Sequence, residues 1–204
     1  TYADASRMQA LIEDKDACKN VTANQYILDW GAANNKVGAF FNSIVGSVSG
    51  VTWSSLTTLT QVCSNASAFQ AVANDSSAFD VIVTNDLGRD ALFSCYSTTE
   101  SVIADSSVAL NILDSMKKTR KFNQADSSGS NLRWFVLSYT IQSLVSMGNS
   151  SEIDIVCADN TTVHGEAYES GKVYTRSVNK FAKSYTYDHF SSDYNSAITY
   201  VDFS

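Results

Sequence analysis

Proline is absent from all 204 residues, where a chain of this length ordinarily holds about ten. Proline interrupts helix interiors and sheet ladders, so its absence permits long regular elements without choosing between them. Histidine occurs only at His164 and His189, which confines imidazole catalysis and imidazole metal ligation to two positions. The few glycines are dispersed, and none forms a phosphate-cradling loop. No apolar run approaches the ~20 residues that span a bilayer; the longest is Trp134–Leu137. Cations are also scarce. Lys and Arg number 14 against 21 Asp and Glu, for a net charge of −7, so the basic footprint expected of a nucleic-acid or anionic-membrane partner is missing.

What is present is apolar and aromatic. Ten Tyr, ten Phe and three Trp supply large burial payloads, enough for a folded core in a chain of single-domain size. No linker or composition break divides the sequence, and one domain over 1–204 is expected.

Four cysteines, Cys18, Cys63, Cys95 and Cys157, lie 45, 32 and 62 residues apart. None of these spacings is that of a zinc or redox motif, and an even set of distant cysteines suggests two structural disulfides of undetermined pairing. Five N-x-[ST] sequons begin at Asn20, Asn65, Asn74, Asn149 and Asn160. A chain so rich in Ser and Thr produces several by chance, but Asn20, Asn149 and Asn160 fall at expected element ends, where a glycan has room. Cysteines and sequons together point to a secreted, extracellular glycoprotein.

Helical signals dominate the first two-thirds. Residues 3–17 put Met8, Leu11 and Ile12 on one side. Thr22-Ala-Asn-Gln25 reads as a capping box opening a helix over 23–45, with Tyr26, Trp30, Ala33, Val37, Phe41 and Ile44 in one stripe and Gly46 as its stop. Ser97-Thr-Thr-Glu100 opens a second, to about Lys121, whose terminal Lys117, Lys118, Arg120 and Lys121 suit the negative helix pole. A third, from Ser130 or Asn131 to Gly148, is apolar nearly all round and would be the central buried helix. Between the first two, Ser67-Ala-Phe-Gln-Ala-Val and Ser77-Ala-Phe-Asp-Val-Ile echo each other ten residues apart, too few copies to define a repeat array. After Gly148, alternating runs separated by turn residues predict a small antiparallel meander to about 176, then a helix, and Ile198–Phe203 alternates as an edge strand would. The expected fold is therefore helix-dominated α+β: a bundle-like core over about 3–148, a small antiparallel β element in the C-terminal third, and two disulfides.

No catalytic, cofactor-binding or metal-ligating set emerges. A Cys-His hydrolase from Cys157 or Cys95 with His164 lacks any surrounding signature. Gly46-Ser-Val-Ser-Gly50 places Val48 where a nucleophile elbow needs serine. His164, Glu166 and Asp159 would hold an ion only if a loop gathered them, and Asp14 and Asp16 belong to a solvated helix. Residues 168–203 carry nine aromatics, among them Tyr185, Tyr187, Phe190, Tyr194, Tyr200 and Phe203, a composition suited to an interface. The functional expectation is a non-enzymatic surface, structural or recognition protein, needing no cofactor, that self-associates through this segment or meets another extracellular protein. A carrier of a small apolar ligand, a glycan binder and a hydrolase of unfamiliar type are the alternatives.

Overall fold

In the computed structural model, which describes residues 4–142, 150–167, 169, 171–188 and 196–204, the chain divides into two units, Thr1–Ile112 and Leu113–Ser204. The first is built from short helices: α1 (Ala5–Ile12), α2 (Lys15–Lys19), α3 (Asn24–Ala33), α4 (Val37–Val45), a 3-10 turn at Trp53–Ser55, α5 (Leu59–Ser64), α6 (Ala66–Ala73), α7 (Ser76–Thr84), α8 (Asp86–Ser94) and α9 (Tyr96–Asp105), with α10 (Ser107–Ser115) running across the boundary. No helix among the described residues is long and apolar enough to cross a membrane.

The expected 23–45 helix is two helices. Asn35 adopts a left-handed conformation (φ 57°) and the Lys36 amide donates to the Gly31 carbonyl, so the chain turns between α3 and α4 while the apolar spacing runs on unbroken. Tyr26 is consequently exposed, and α3 buries Ile27, Leu28 and Gly31 instead. Thr22 does not cap. Its amide and hydroxyl both donate to Asn20 Oδ1 (3.0 and 2.6 Å), and the capping box lies at Thr58 and Gln61, at the start of α5. Gly46 does end α4, at φ 79°.

From α6 onward a ten-residue frame appears. Asn65, Asp75 and Asn85 each cap the next helix through a side-chain oxygen, Cys95 holds the same place without a side-chain bond, and Ser106 accepts from the Ala109 amide. Three residues past the cap stand small buried residues, Ala68, Ala78, Gly88 and Ala109. Seven past it stand buried aliphatics, Val72, Ile82, Leu92, Val102 and Leu113. The two echoing segments are thus members of a run of five. Helices pack on their sequence neighbours and also on the third helix along, α4 on α7, α5 on α8 and α6 on α9, as in a superhelix that returns every three helices.

The second unit corrects the expected architecture most. Its strands are β1 (Lys118–Phe122), β2 (Asp126–Ser127), β3 (Trp134–Gln142), β4 (Ser151–Cys157), β5 (Thr162–Ala167), β6 (Val173–Asp188) and β7 (Ser196–Asp202). They form one antiparallel sheet in the order β1-β7-β3-β6-β4-β5, with β2 also on β6. The predicted central helix is strand β3. Its first residues, Trp134–Val136, are buried on both faces and give the run its continuous apolar look, while partly exposed and buried residues alternate from Ser138 to Ile141. Its β-branched and aromatic residues favour the pleat. The predicted 97–121 helix is two helices, α9 and α10, broken at Ser106 and ended at Ser115, and Lys118, Arg120 and Lys121 of its basic end belong to β1. The helix expected after 176 is the second half of β6. Ile198–Phe203 is no edge, since β7 pairs with β1 on one side and β3 on the other.

Strand β6 carries one extra residue near Asn179 (φ 51°) opposite β3, and another at Lys183 opposite β4. Bulges bend and twist the strand that holds them. The sheet curls enough for the Tyr139 ring of β3 to lie on Gly165 of β5, where a Cβ would sit 2.5 Å from the ring. The concave core is aromatic: Trp134 stacks between Tyr200 and Tyr185, and Phe122 stacks on Tyr187.

Candidate functional site

An open sheet leaves N–H and C=O groups unpaired along its outer strands, and such edges recruit further strands unless something guards them. Among the described residues, three stretches longer than β2 are registered against a strand on one side only: β1, β5 and the first part of β6, Val173–Val178. Two of the three are guarded by charge.

On β1, Lys118 pairs with Asp202 (3.2 Å), and Arg120 donates to Asp126 Oδ2 through Nε (3.0 Å) and Nη2 (2.7 Å). The Tyr185 hydroxyl donates to the same oxygen at 2.9 Å. Partial burial raises the Asp126 pKa, but the bonds from Arg120 and Tyr185 and the guanidinium charge together hold its carboxyl below the usual range. Burial, then the bond to this carboxylate, pushes Tyr185 up to about 12. On β5, His164 Nδ1 lies 2.8 Å from Asp154 Oδ1 on β4, and Nε2 is 3.6 Å from Glu166.

The third stretch is different. Val173 through Ser177 are all exposed, Val173 at 54% and Tyr174 at 38%. Its sole charge is Arg176, and it holds no proline, lysine or carboxylate. It pairs with β3 from Val173 opposite Gln142 to Ser177 opposite Ser138, with the Thr140 and Thr175 hydroxyls 3.1 Å apart. A strand of this composition offers backbone hydrogen bonds to an added strand and apolar side chains to grip it. In the sequence Tyr174 falls among the C-terminal aromatics at the end of the predicted meander, and the run Val173-Tyr-Thr-Arg-Ser-Val178 carries a strand signal in its β-branched content.

The residues singled out from sequence are placed elsewhere. Tyr185 and Tyr187 are 5% and 1% exposed, Phe203 is buried beside Phe181, and Tyr200 is stacked on Trp134. Three of these aromatics are core, and half-buried Tyr200 packs against it. Phe190, Tyr194 and His189 lie outside the described residues, as does Asn149. Asn20, Asn74 and Asn160 are exposed, whereas Asn65 is half-buried and caps α6. Asp159 does not join His164. It accepts from Thr161 and pairs with Lys180 at 3.0 Å, and the bonds from the Thr161 hydroxyl and amide hold it down to about 2.

All four cysteines are buried free thiols, and the expected disulfides are absent. Each thiol is fixed by its own packing. Cys18 Sγ faces the Leu11 and Ile12 carbonyls at 3.5 Å, Cys157 Sγ faces that of Ile155, and Cys95 Sγ lies 3.2 Å from Ser64 Oγ. A bridge needs Cα atoms within about 7 Å and facing Cβ vectors, which this packing does not provide. Burial, then the Asp14 carboxylate, pushes Cys18 up to about 12. Burial, with Cys95 beside it, holds Cys63 well above the usual thiol range. These thiols are hydrophobic filler.

On the helical unit, a groove of about 430 Å³ is lined by Gln25, Asp29, Thr84, Asn85, Asp86 and Leu87. Its polar groups are largely spent on one another: Asn85 Nδ2 donates to Asp29 (2.8 Å) and Gln25 Nε2 to Thr84 (2.6 Å), locking α3 to the α7–α8 junction. Comparison with known proteins finds no family model and no curated protein that matches this chain.

Proposed function

We propose that the chain is a non-enzymatic structural or recognition protein that self-associates through its C-terminal sheet. The observation that carries this reading is the edge Val173–Val178, exposed from Val173 to Ser177 and bearing Val173, Tyr174 and the single charge Arg176, where the other two edges carry ion-paired charge. The occupant is a second copy of the same chain. Every copy carries the same edge, so a two-fold contact pairs it with itself antiparallel and leaves neither copy of this stretch unpaired. Backbone ladder bonds supply the affinity, and Val173 and Tyr174 supply buried apolar area.

The extracellular setting rests on the surface position of Asn20, Asn74 and Asn160; the cysteines no longer support it. Sedimentation velocity over a wide concentration range tests the association. A concentration-dependent dimer is expected, lost in Val173→Lys/Tyr174→Lys. A monomer at every concentration, or a dimer untouched by that double variant, overturns the reading.

A further inference from the structure

The register of β4 against its two neighbours aligns like charges. Glu152 is opposite Glu166 on β5 and opposite Asp188 on β6, so three carboxylates stand in one cross-strand row. Directly opposed like charges destabilise a sheet. One row along, Asp154 stands between His164 and Thr186. Among the described residues, the charged groups facing His164 are Asp154 and Glu152 from β4, Glu166 from its own strand and Asp188 from β6, and all are carboxylates. The nearest lysines, Lys180 and Lys183, are turned to Asp159 and Asn160 in the β4–β5 turn. His164 places a titratable cation in this face, bonded to Asp154 and next to Glu166.

We infer that His164 is a pH-dependent clasp: protonated, it holds edge strand β5 against β4, and neutral, it lets that edge open. The hydrogen bond to Asp154 is the chief cause of an imidazole pKa above the ordinary value, with the charges of Asp154 and Glu166 adding to it and partial desolvation opposing it. A group raised on folding contributes stability that is complete below its unfolded value, near 6.5, and is lost as pH rises through the folded one. The clasp is closed in mild acid and released on the alkaline side of neutrality.

Amide hydrogen exchange of Thr162–Ala167, corrected for intrinsic rates and compared at roughly pH 5.5 and 8.5, tests the clasp. Opening of β5 is expected to become about 1.5- to 5-fold more frequent at the higher pH, the range of one cross-strand charge pair. His164→Gln should open freely at both pH values, and His164→Lys should stay closed at both. A pH slope that survives in His164→Gln, a flat wild-type profile, or a His164→Lys strand that still opens at the higher pH overturns the inference.

Discussion

In the helical unit the bonds that set each element span two or three residues: Asn65 to Ala68, Asp75 to Ser77, Asn85 to Gly88. In the sheet unit the first strand is held by the last, and Lys118 meets Asp202 across 84 residues of chain. One half is written in repeated local instructions, the other in pairings that exist only after the chain has closed long loops. The difference governs how each half fails. Helices that interlock through their backbones have no slack, whereas a curled sheet can shift a side chain before it moves a strand.

The sharpest break is expected at Gly38. A Cβ there would lie 1.8 Å from the Trp53 carbonyl oxygen and 2.7 Å from that of Leu56, both backbone atoms. Gly38→Ala should cost roughly 3–5 kcal/mol or prevent folding of the helical unit, read by denaturant unfolding followed at the helical CD band. Gly165→Ala is the matching test in the sheet. The obstructing group is the Tyr139 ring, which can swing aside, so about 1–3 kcal/mol is expected. The comparison breaks if Gly165 proves the costlier of the two. Below these come the caps. Thr58→Ala should lose about 1 kcal/mol because it removes a working capping box, while Thr22→Ala, a cap by sequence alone, should stay within about 0.5 kcal/mol. Smallest is the acid limb of the sheet. Asp126 is held below the usual carboxylate range, so its contribution is complete above the ordinary value near 3.8 and disappears as pH falls through the folded one. Asp126→Asn should flatten the fall of melting temperature with acid; an unchanged acid limb would show that Arg120 and Tyr185 do not depend on it.

The same contrast explains what the sequence discloses. Helices are legible from apolar spacing over most of 5–45 and 97–115, and Gly46 is legible as a stop, whereas the four short helices between Leu59 and Ser94 carry no stripe long enough to separate them from strands. The ten-residue frame is half visible: Phe69 and Phe79 advertise two units, but Arg89 and Thr99 hold that place in the next two, and only the quieter signal of a cap followed by a small residue three positions on links Asn65, Asp75, Asn85 and Ser106. The sheet is hidden where burial is greatest, since Trp134–Val136 of β3 is buried on both faces and the Ser138–Ile141 alternation that follows is short. The aromatics of β6 mislead because its bulges break the two-residue rhythm, sending Phe181 toward Phe135 and Tyr185 toward Phe122. Disulfides are suggested by cysteine number and spacing, which cannot report that all four thiols are buried without meeting at bonding distance.

The ten-residue frame also makes the helical array adjustable in length. Adding or deleting a single unit between two caps changes the array by one helix and changes the partner each later helix meets three places along, while adding three units, about thirty residues, keeps that three-helix pairing in phase. A chain built this way carries a molecular ruler whose marks are its helix caps, and genetic duplication of a short segment is enough to reset it.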